Sequence, residues 1–332
     1  MKSILSLPFF AAVAFATSRL TPPPGSIVVA KSGGDFDSIS SAIQSLNQGI
    51  RENQTIFVKA GTYEEQVSIP AMSGLLTIYG ETKDILSYSA NTVTVTYNAS
   101  TSSTASSKDA DTATVQNGAA STRFYNLNFA NSHSAGESAL ALSASGTQQG
   151  YYGCQFTGNE NTILTQVGGT QVFARCLIQG TSDFITGQYA RVWFDAVAIR
   201  VLPCSGQGFI TANGRSSNDD PSYYVINNSS VDAASDKTVT SGSYYLGRPL
   251  SDFSRVVFQD TYMSEVVNSA GWSEWTKAKP NTQDVDFGEY DNSGPGSLGS
   301  RASFSKKLSS ALAVGDIIND GYQSWVDVSY LS

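Results

Sequence analysis

"YYGCQF" (151–156) and "FARCLI" (173–178) decide how this chain is read. Each opens with a large apolar residue and closes with another five positions later. The same form recurs in "FYNLNF" (124–129), "FDAVAI" (194–199) and "FQDTYM" (258–263). The closing residues Phe129, Phe156, Ile178, Ile199 and Met263 stand 27, 22, 21 and 64 positions apart. The last gap leaves room for one more unit around "INNSSV" (226–231). A period near 22 is too short for a helical-hairpin repeat and fits one coil of a parallel β-helix. In that register Cys154 and Cys176 hold the same slot on neighbouring coils, about 4.8 Å apart. They are either a disulfide or two buried thiols stacked in the core. By the same count Asn161, five after Phe156, lies over Asp183, five after Ile178. "GNENT" (158–162) and "GTSDFITG" (180–187) therefore share one face.

Composition agrees with an all-β chain. Charged residues make up 14% of the 332 positions, against a usual value of about 25%. Long solvated helices need more Glu and Lys than this. One helix is expected at "FDSISSAIQSL" (36–46), where Phe36, Ile39, Ala42, Ile43 and Leu46 share a face. A second is expected near "SFSKKLSSAL" (303–312). "NASTSSTASSKDADTA" (98–113) reads as a surface loop. The net charge of −8 argues against nucleic acid or an anionic membrane surface, since neutralising phosphates takes Lys and Arg. At the N-terminus Lys2 precedes an apolar run from Ile4 to Ala16, with Ala14-Phe15-Ala16 at a signal-peptidase spacing and "TPPPG" after it. This reads as a secretory signal over 1–18, followed by a single domain over 19–332. Four Asn-x-Ser/Thr triplets begin at Asn53, Asn98, Asn227 and Asn228.

The chemistry on offer is carboxylate chemistry. His133 is the one histidine, and no G-x-S-x-G elbow accompanies it, so a Ser-His-Asp hydrolase is disfavoured. One His and three Cys give little for a zinc site, and "KSGGDF" lacks the ending of a phosphate loop. Asp183 stands out, flanked by Gly180 and Gly187 and followed by Phe184 and Ile185. A carboxylate among apolar neighbours needs a partner. Arg248, held between Gly247 and Pro249 in "YYLGRPL" (244–250), is the available one, through a bidentate pair.

These segments resemble the pectin methylesterases, carbohydrate esterases, and above all their secreted fungal branch. "GTYEEQV" (61–67) is similar to G-x-Y-x-E, "SALALSA" (138–144) to Q-A-x-A-L, and "GNENTIL" (158–164) to G-Y-Q-D-T-L. "GTSDFITG" (180–187) is similar to G-x-x-D-F-I-F-G and "LGRPL" (246–250) to L-G-R-P-W. "GWSEW" (271–275) and "FGEYDNSGPG" (287–296) resemble the C-terminal block. The resemblance covers nearly all of the chain after the signal segment. It implies a right-handed parallel β-helix with a short N-terminal helix and a C-terminal extension. It further implies hydrolysis of methyl esters of homogalacturonan (pectin) to pectate and methanol, without metal or organic cofactor. A secreted, glycosylated monomer is expected, with pectin as its partner. An acidic chain should release the polyanionic product rather than slide along it.

Carried over by position, Asp183 is the nucleophile and Arg248 orients it. Asn161 falls at the general-acid aspartate, and Glu160 and Ser138 fall at the oxyanion glutamines. Asn159 replaces the family's tyrosine. Phe184, Thr186, Leu250 and Trp272 are the expected substrate contacts, with Thr186 in place of an aromatic and Leu250 in place of a tryptophan. A positioned acid contributes roughly 10²–10⁴-fold and an oxyanion donor roughly 10²–10³-fold. The substitutions therefore point to a weakened esterase or, as the alternative, a catalytically inactive pectin-binding paralogue.

Overall fold

The computed structural model describes residues 18–332 except 107, 135 and 167. The segment 1–18 read as a secretory signal thus lies outside the described residues but for its last position. The chain winds so that each coil adds one strand to each of three parallel sheets, with eleven, seven and eight strands among the described residues. In the largest sheet the strands follow one another in chain order. This is a parallel β-helix.

The repeat slots are stacked as the spacing predicts. Phe129 pairs with Phe156, Phe156 with Ile178, Ile178 with Ile199, Ile199 with Val231 and Val231 with Met263. Val231, from the "INNSSV" unit, fills the long gap. The opening residues stack too: the rings of Phe124, Tyr151, Phe173 and Phe194 lie 5.2, 4.7 and 5.0 Å apart in sequence. One buried apolar cluster runs from Val29 to Phe287 inside the coil.

Each hexapeptide is nevertheless not a strand. It straddles a corner: Gln149–Tyr152 belongs to one sheet and Gln155–Thr157 to the next. In a flat strand residues i and i+5 point to opposite faces. The corner turns both inward, through residues at positive φ: Asn126, Gly153, Arg175, Ala196, Asn228 and Asp260 lie between 43° and 59°. Asn and Asp tolerate that region well, while Arg175 and Ala196 hold it because the stacked coils above and below dictate it. Cys154 and Cys176 sit just past two of these corners. Against the disulfide alternative, both are free thiols. Cys154 Sγ faces the carbonyls of Tyr152 and Phe124 at 3.6 and 3.7 Å, and Cys176 Sγ those of Ala174 and Tyr151, both at 3.3 Å. Each sulfur is thus held between one carbonyl of its own corner and one of the preceding coil. Burial pushes the Cys176 thiol well above its ordinary pKa, which keeps it protonated and unreactive.

The expected first helix spans Ile39–Ser45 and buries Ile39, Ala42 and Ile43. Phe36 falls before it, because Ser38 is the N-cap. Glu65, the last residue of "GTYEE", accepts from Ile39 N and Ser40 N at 2.8 and 2.9 Å. That motif glutamate therefore closes the N-terminal end of the coil. The second expected helix is displaced. Ser305–Lys307 is the last strand of the large sheet, with Lys306 Nζ 2.6 Å from Asp286 Oδ1, and the helix follows at Val314–Ile318. Sheet pairing and that ion pair outweigh the weak helical pattern of a Ser- and Lys-rich segment.

A Phe156→Ala variant tests the ladder. Phe156 is fully buried, with ring centroids of Phe129 and Phe173 at 5.3 and 5.4 Å. It is expected to lose about 3–5 kcal/mol of unfolding free energy, read from urea denaturation.

Candidate active site

Asp183 lies on the strand Ser182–Gln188, where the ladder is broken. Ser182 pairs with Phe209, but Ile185 pairs with Thr211, so two residues face one across the gap. This is a β-bulge. Asp183 takes a φ of 48° within it. The extra residue re-aims the chain, sending Phe184 into the core, fully buried, and Asp183 toward the groove. Both flanking glycines are required by close approach. A Cβ at Gly180 would sit 2.4 Å from Phe184 Cβ, and one at Gly187, at φ 141°, would sit 1.8 Å from the Thr165 carbonyl oxygen. Asn161, one coil away, has the matching φ of 58°, and its N–H donates to Ser182 O at 3.4 Å. Ser138, Glu160 and Ser182 form consecutive parallel bridges. The chain thus brings Glu160 and Asn161 beside Asp183 as the repeat register anticipates, and Ser138 joins them through its bridge to Glu160.

Arg248 arrives from the loop after Tyr244–Gly247. Its Nε donates to Asp183 Oδ1 at 3.0 Å, and its Nη2 donates to Asp183 Oδ2. This is the two-point fork that only a guanidinium can make. The guanidinium is itself sandwiched, 4.0 Å from the Phe209 ring centroid and 4.3 Å from that of Trp275. Its backbone N–H bonds Thr211 O at 3.0 Å. The side chain is therefore fixed on both faces before any ligand arrives. Burial pushes the Asp183 carboxyl above the ordinary aspartate value, and Arg248 pulls it partly back. Glu160 is also raised, by burial first and then by the charge of Asp183, while Arg248 opposes the shift.

These groups line one open groove of about 630 Å³. Asp183, Glu160, Asn161, Thr186, Leu250 and Arg248 all border it, and so does Asp109 from the serine-rich loop. Ser138 does not, and neither do two expected substrate contacts. Phe184 is buried by the bulge geometry, and Trp272 is only 1% exposed. Trp272 stacks on Phe287 at 4.3 Å and donates from Nε1 to Glu289 Oε1 at 3.1 Å, a carboxylate paired with Arg301. It is a core residue because Gly247 pairs with it on the neighbouring coil, turning its ring inward. The groove tryptophan is Trp275, three residues on in the same "GWSEW" segment. Tyr189 and Gln166 also line the groove. Both follow strands whose inner faces are apolar, and nothing local marks them. Among the described residues no group of three His, Cys, Asp or Glu side chains is placed to hold a metal ion.

The pectinesterase family model matches residues 26–310. The chain belongs to the pectinesterase family. It is 51% identical over 331 residues to a pectinesterase of Aspergillus aculeatus, covering 99% of both chains. It is 48% identical over 333 residues to a pectinesterase of Aspergillus niger, covering all of both. The solved pectin methylesterase of Aspergillus niger superposes with a TM-score of 0.87 at 34% identity, over 95% of this chain and 100% of that one. Asn161 Nδ2 donates to Ser138 Oγ at 3.0 Å, so these two side chains are bonded to each other. Asn159 Nδ2 turns away to His133 O at 2.8 Å.

Proposed function

We propose that this chain is a secreted carbohydrate esterase that hydrolyses methyl esters of homogalacturonan to pectate and methanol. One observation carries the reading: a carboxylate raised into an open groove by a bulge and held from two points by a prefixed guanidinium. Asp183 is the nucleophile, attacking the ester carbonyl through an oxygen that Arg248 orients and keeps ionised. Asn161 stands at the general-acid position, and Glu160 and Ser138 stand at the oxyanion-donor positions. Thr186, Leu250 and Trp275 contact the polysaccharide. Residues 19–332 act as one domain and as a monomer, following removal of 1–18. No described helix is long and apolar enough to cross a membrane. Of the four glycan-acceptor triplets, Asn53, Asn98 and Asn228 are exposed, whereas Asn227 is tied to Asp195 and Gln259 and is the poorest acceptor.

The deciding experiment is methanol release from highly methylated pectin, with Asp183→Ala as the control. Release above that control supports the esterase. Binding of pectin oligomers without any release supports the second reading, a pectin-binding paralogue, which the amide at Asn161 and the hydroxyl at Ser138 favour. Trp275→Ala measures the clamp on Arg248. A face-on cation–π contact contributes about 1–2 kcal/mol when partly desolvated. Its loss is expected to lower kcat/KM about tenfold, with the melting temperature little changed because Trp275 is only half-buried.

A further inference from the structure

We propose that Glu160 is the proton donor to the departing methanol, while the adjacent Asn161 amide serves as an oxyanion donor. The roles usual at these two neighbouring positions are thereby exchanged. This rests on the esterase reading of the same groove.

The argument begins with which nearby groups can release a proton. Asn161 is an amide and Ser138 an alcohol, and neither is an acid in the working range. Asn159 is committed to His133 O. His133 itself faces Asn98, with its Nδ1 3.2 Å from Asn98 Oδ1, and does not line the groove. Asp109 lies on the exposed loop at the rim. Glu160 alone is both a carboxyl and bridged directly to Ser182, the residue before the nucleophile. Its carboxyl borders the groove and has no hydrogen-bond partner among the described residues. A half-buried carboxyl kept free of donors is suited to carry a proton rather than a charge.

The groups facing Glu160 set which of the two carboxyls holds that proton. Asp183 faces it from the next coil, Arg248 from the loop beyond, and Asp109 from the serine-rich loop. Arg248 commits both fork contacts to Asp183. The ionised form is therefore favoured on Asp183, and that charge disfavours a second one on Glu160. Two carboxyls whose surroundings separate them in this way are suited to nucleophile and acid. Asn161 has two amide hydrogens and spends one on Ser138 Oγ, leaving one for the oxyanion.

The steps balance as follows. Asp183 Oδ bonds the ester carbonyl carbon, and the carbonyl oxygen becomes an oxyanion beside Asn161 Nδ2. The bond to the methoxy oxygen breaks as Glu160 gives it a proton, releasing methanol and leaving an acyl-enzyme anhydride with Glu160 ionised. Glu160 then takes a proton from water. The hydroxide oxygen bonds the acyl carbon, and Asp183 departs as a carboxylate. The product is the galacturonic acid, and Glu160 is again protonated.

Glu160→Gln separates this role from a rival one, in which Glu160 only repels the nucleophile's charge. Proton donation predicts that kcat/KM on methylated pectin falls about 10²–10⁴-fold at unchanged melting temperature. It also predicts a limb of the pH profile, with kcat/KM falling as pH rises through the raised Glu160 value, that is absent in the variant. Adding Asn161→Asp to that variant restores an acid one position away and is expected to recover at least tenfold. Charge repulsion predicts the opposite sign, so a Glu160→Gln rate equal to or above the parent overturns the role alone. A parent no faster than Asp183→Ala overturns the esterase reading and this role with it.

Discussion

Asp183→Asn is expected to reduce methanol release on the order of 10⁴–10⁶-fold, the range seen when one member of an acyl-transfer triad is removed. Asparagine keeps the shape of the side chain and one acceptor for Arg248, so the groove stays formed. It has no anionic oxygen to bond the ester carbon. Burial raises the folded-state pKa of Asp183 despite Arg248. A raised carboxyl contributes stability that is present at low pH and lost as pH rises through its folded value. The parent should therefore lose this contribution as pH rises through the raised Asp183 value, and Asp183→Asn, which has no proton to lose there, should lack that part of the pH dependence of the melting temperature. Retention of a tenth or more of the parental rate would place the nucleophile elsewhere.

The distribution of what was legible follows from the physics of the coil. Slots five apart on five segments predict the stacks through Phe129, Phe156, Ile178, Ile199 and Met263, because every coil must refill the same interior position. Asn161 over Asp183 follows from the same count. The corners were not legible: Arg175 and Ala196 have no local reason to adopt positive φ, and only the neighbouring coils impose it. Facing was lost wherever one residue is inserted. The bulge between Ser182 and Ile185 reverses the sense of Phe184, and spacing alone cannot reveal it. The two tryptophans of "GWSEW" are three apart, and which one faces the groove depends on the pairing of Trp272 with Gly247. For the cysteines, spacing predicts adjacency but not whether the sulfurs point at each other or at carbonyls.

The triple variant Ser138→Gln, Glu160→Gln, Asn161→Asp is the gain-of-function counterpart. Present donors to a developing oxyanion are few: Asn161 spends one N–H on Ser138 Oγ, and a hydroxyl at 138 reaches less far than a glutamine amide. The triple change supplies two amide donors in the register already bridged through positions 138, 160 and 182. It returns the acid to the residue that stacks over Asp183. Each added donor is worth about 10²–10³-fold, and members of one site are not additive. An increase of at least about 10²-fold in kcat/KM over the parent is expected, chiefly in kcat, since donors that engage only the oxyanion stabilise the transition state and not the bound ester. Position 161 is a bulge-like turn at φ 58°, which Asp tolerates as readily as Asn, so the fold should carry the change. A triple variant no faster than the parent would mean that the present Ser138, Glu160 and Asn161 already stabilise the transition state as well as two glutamines and an aspartate.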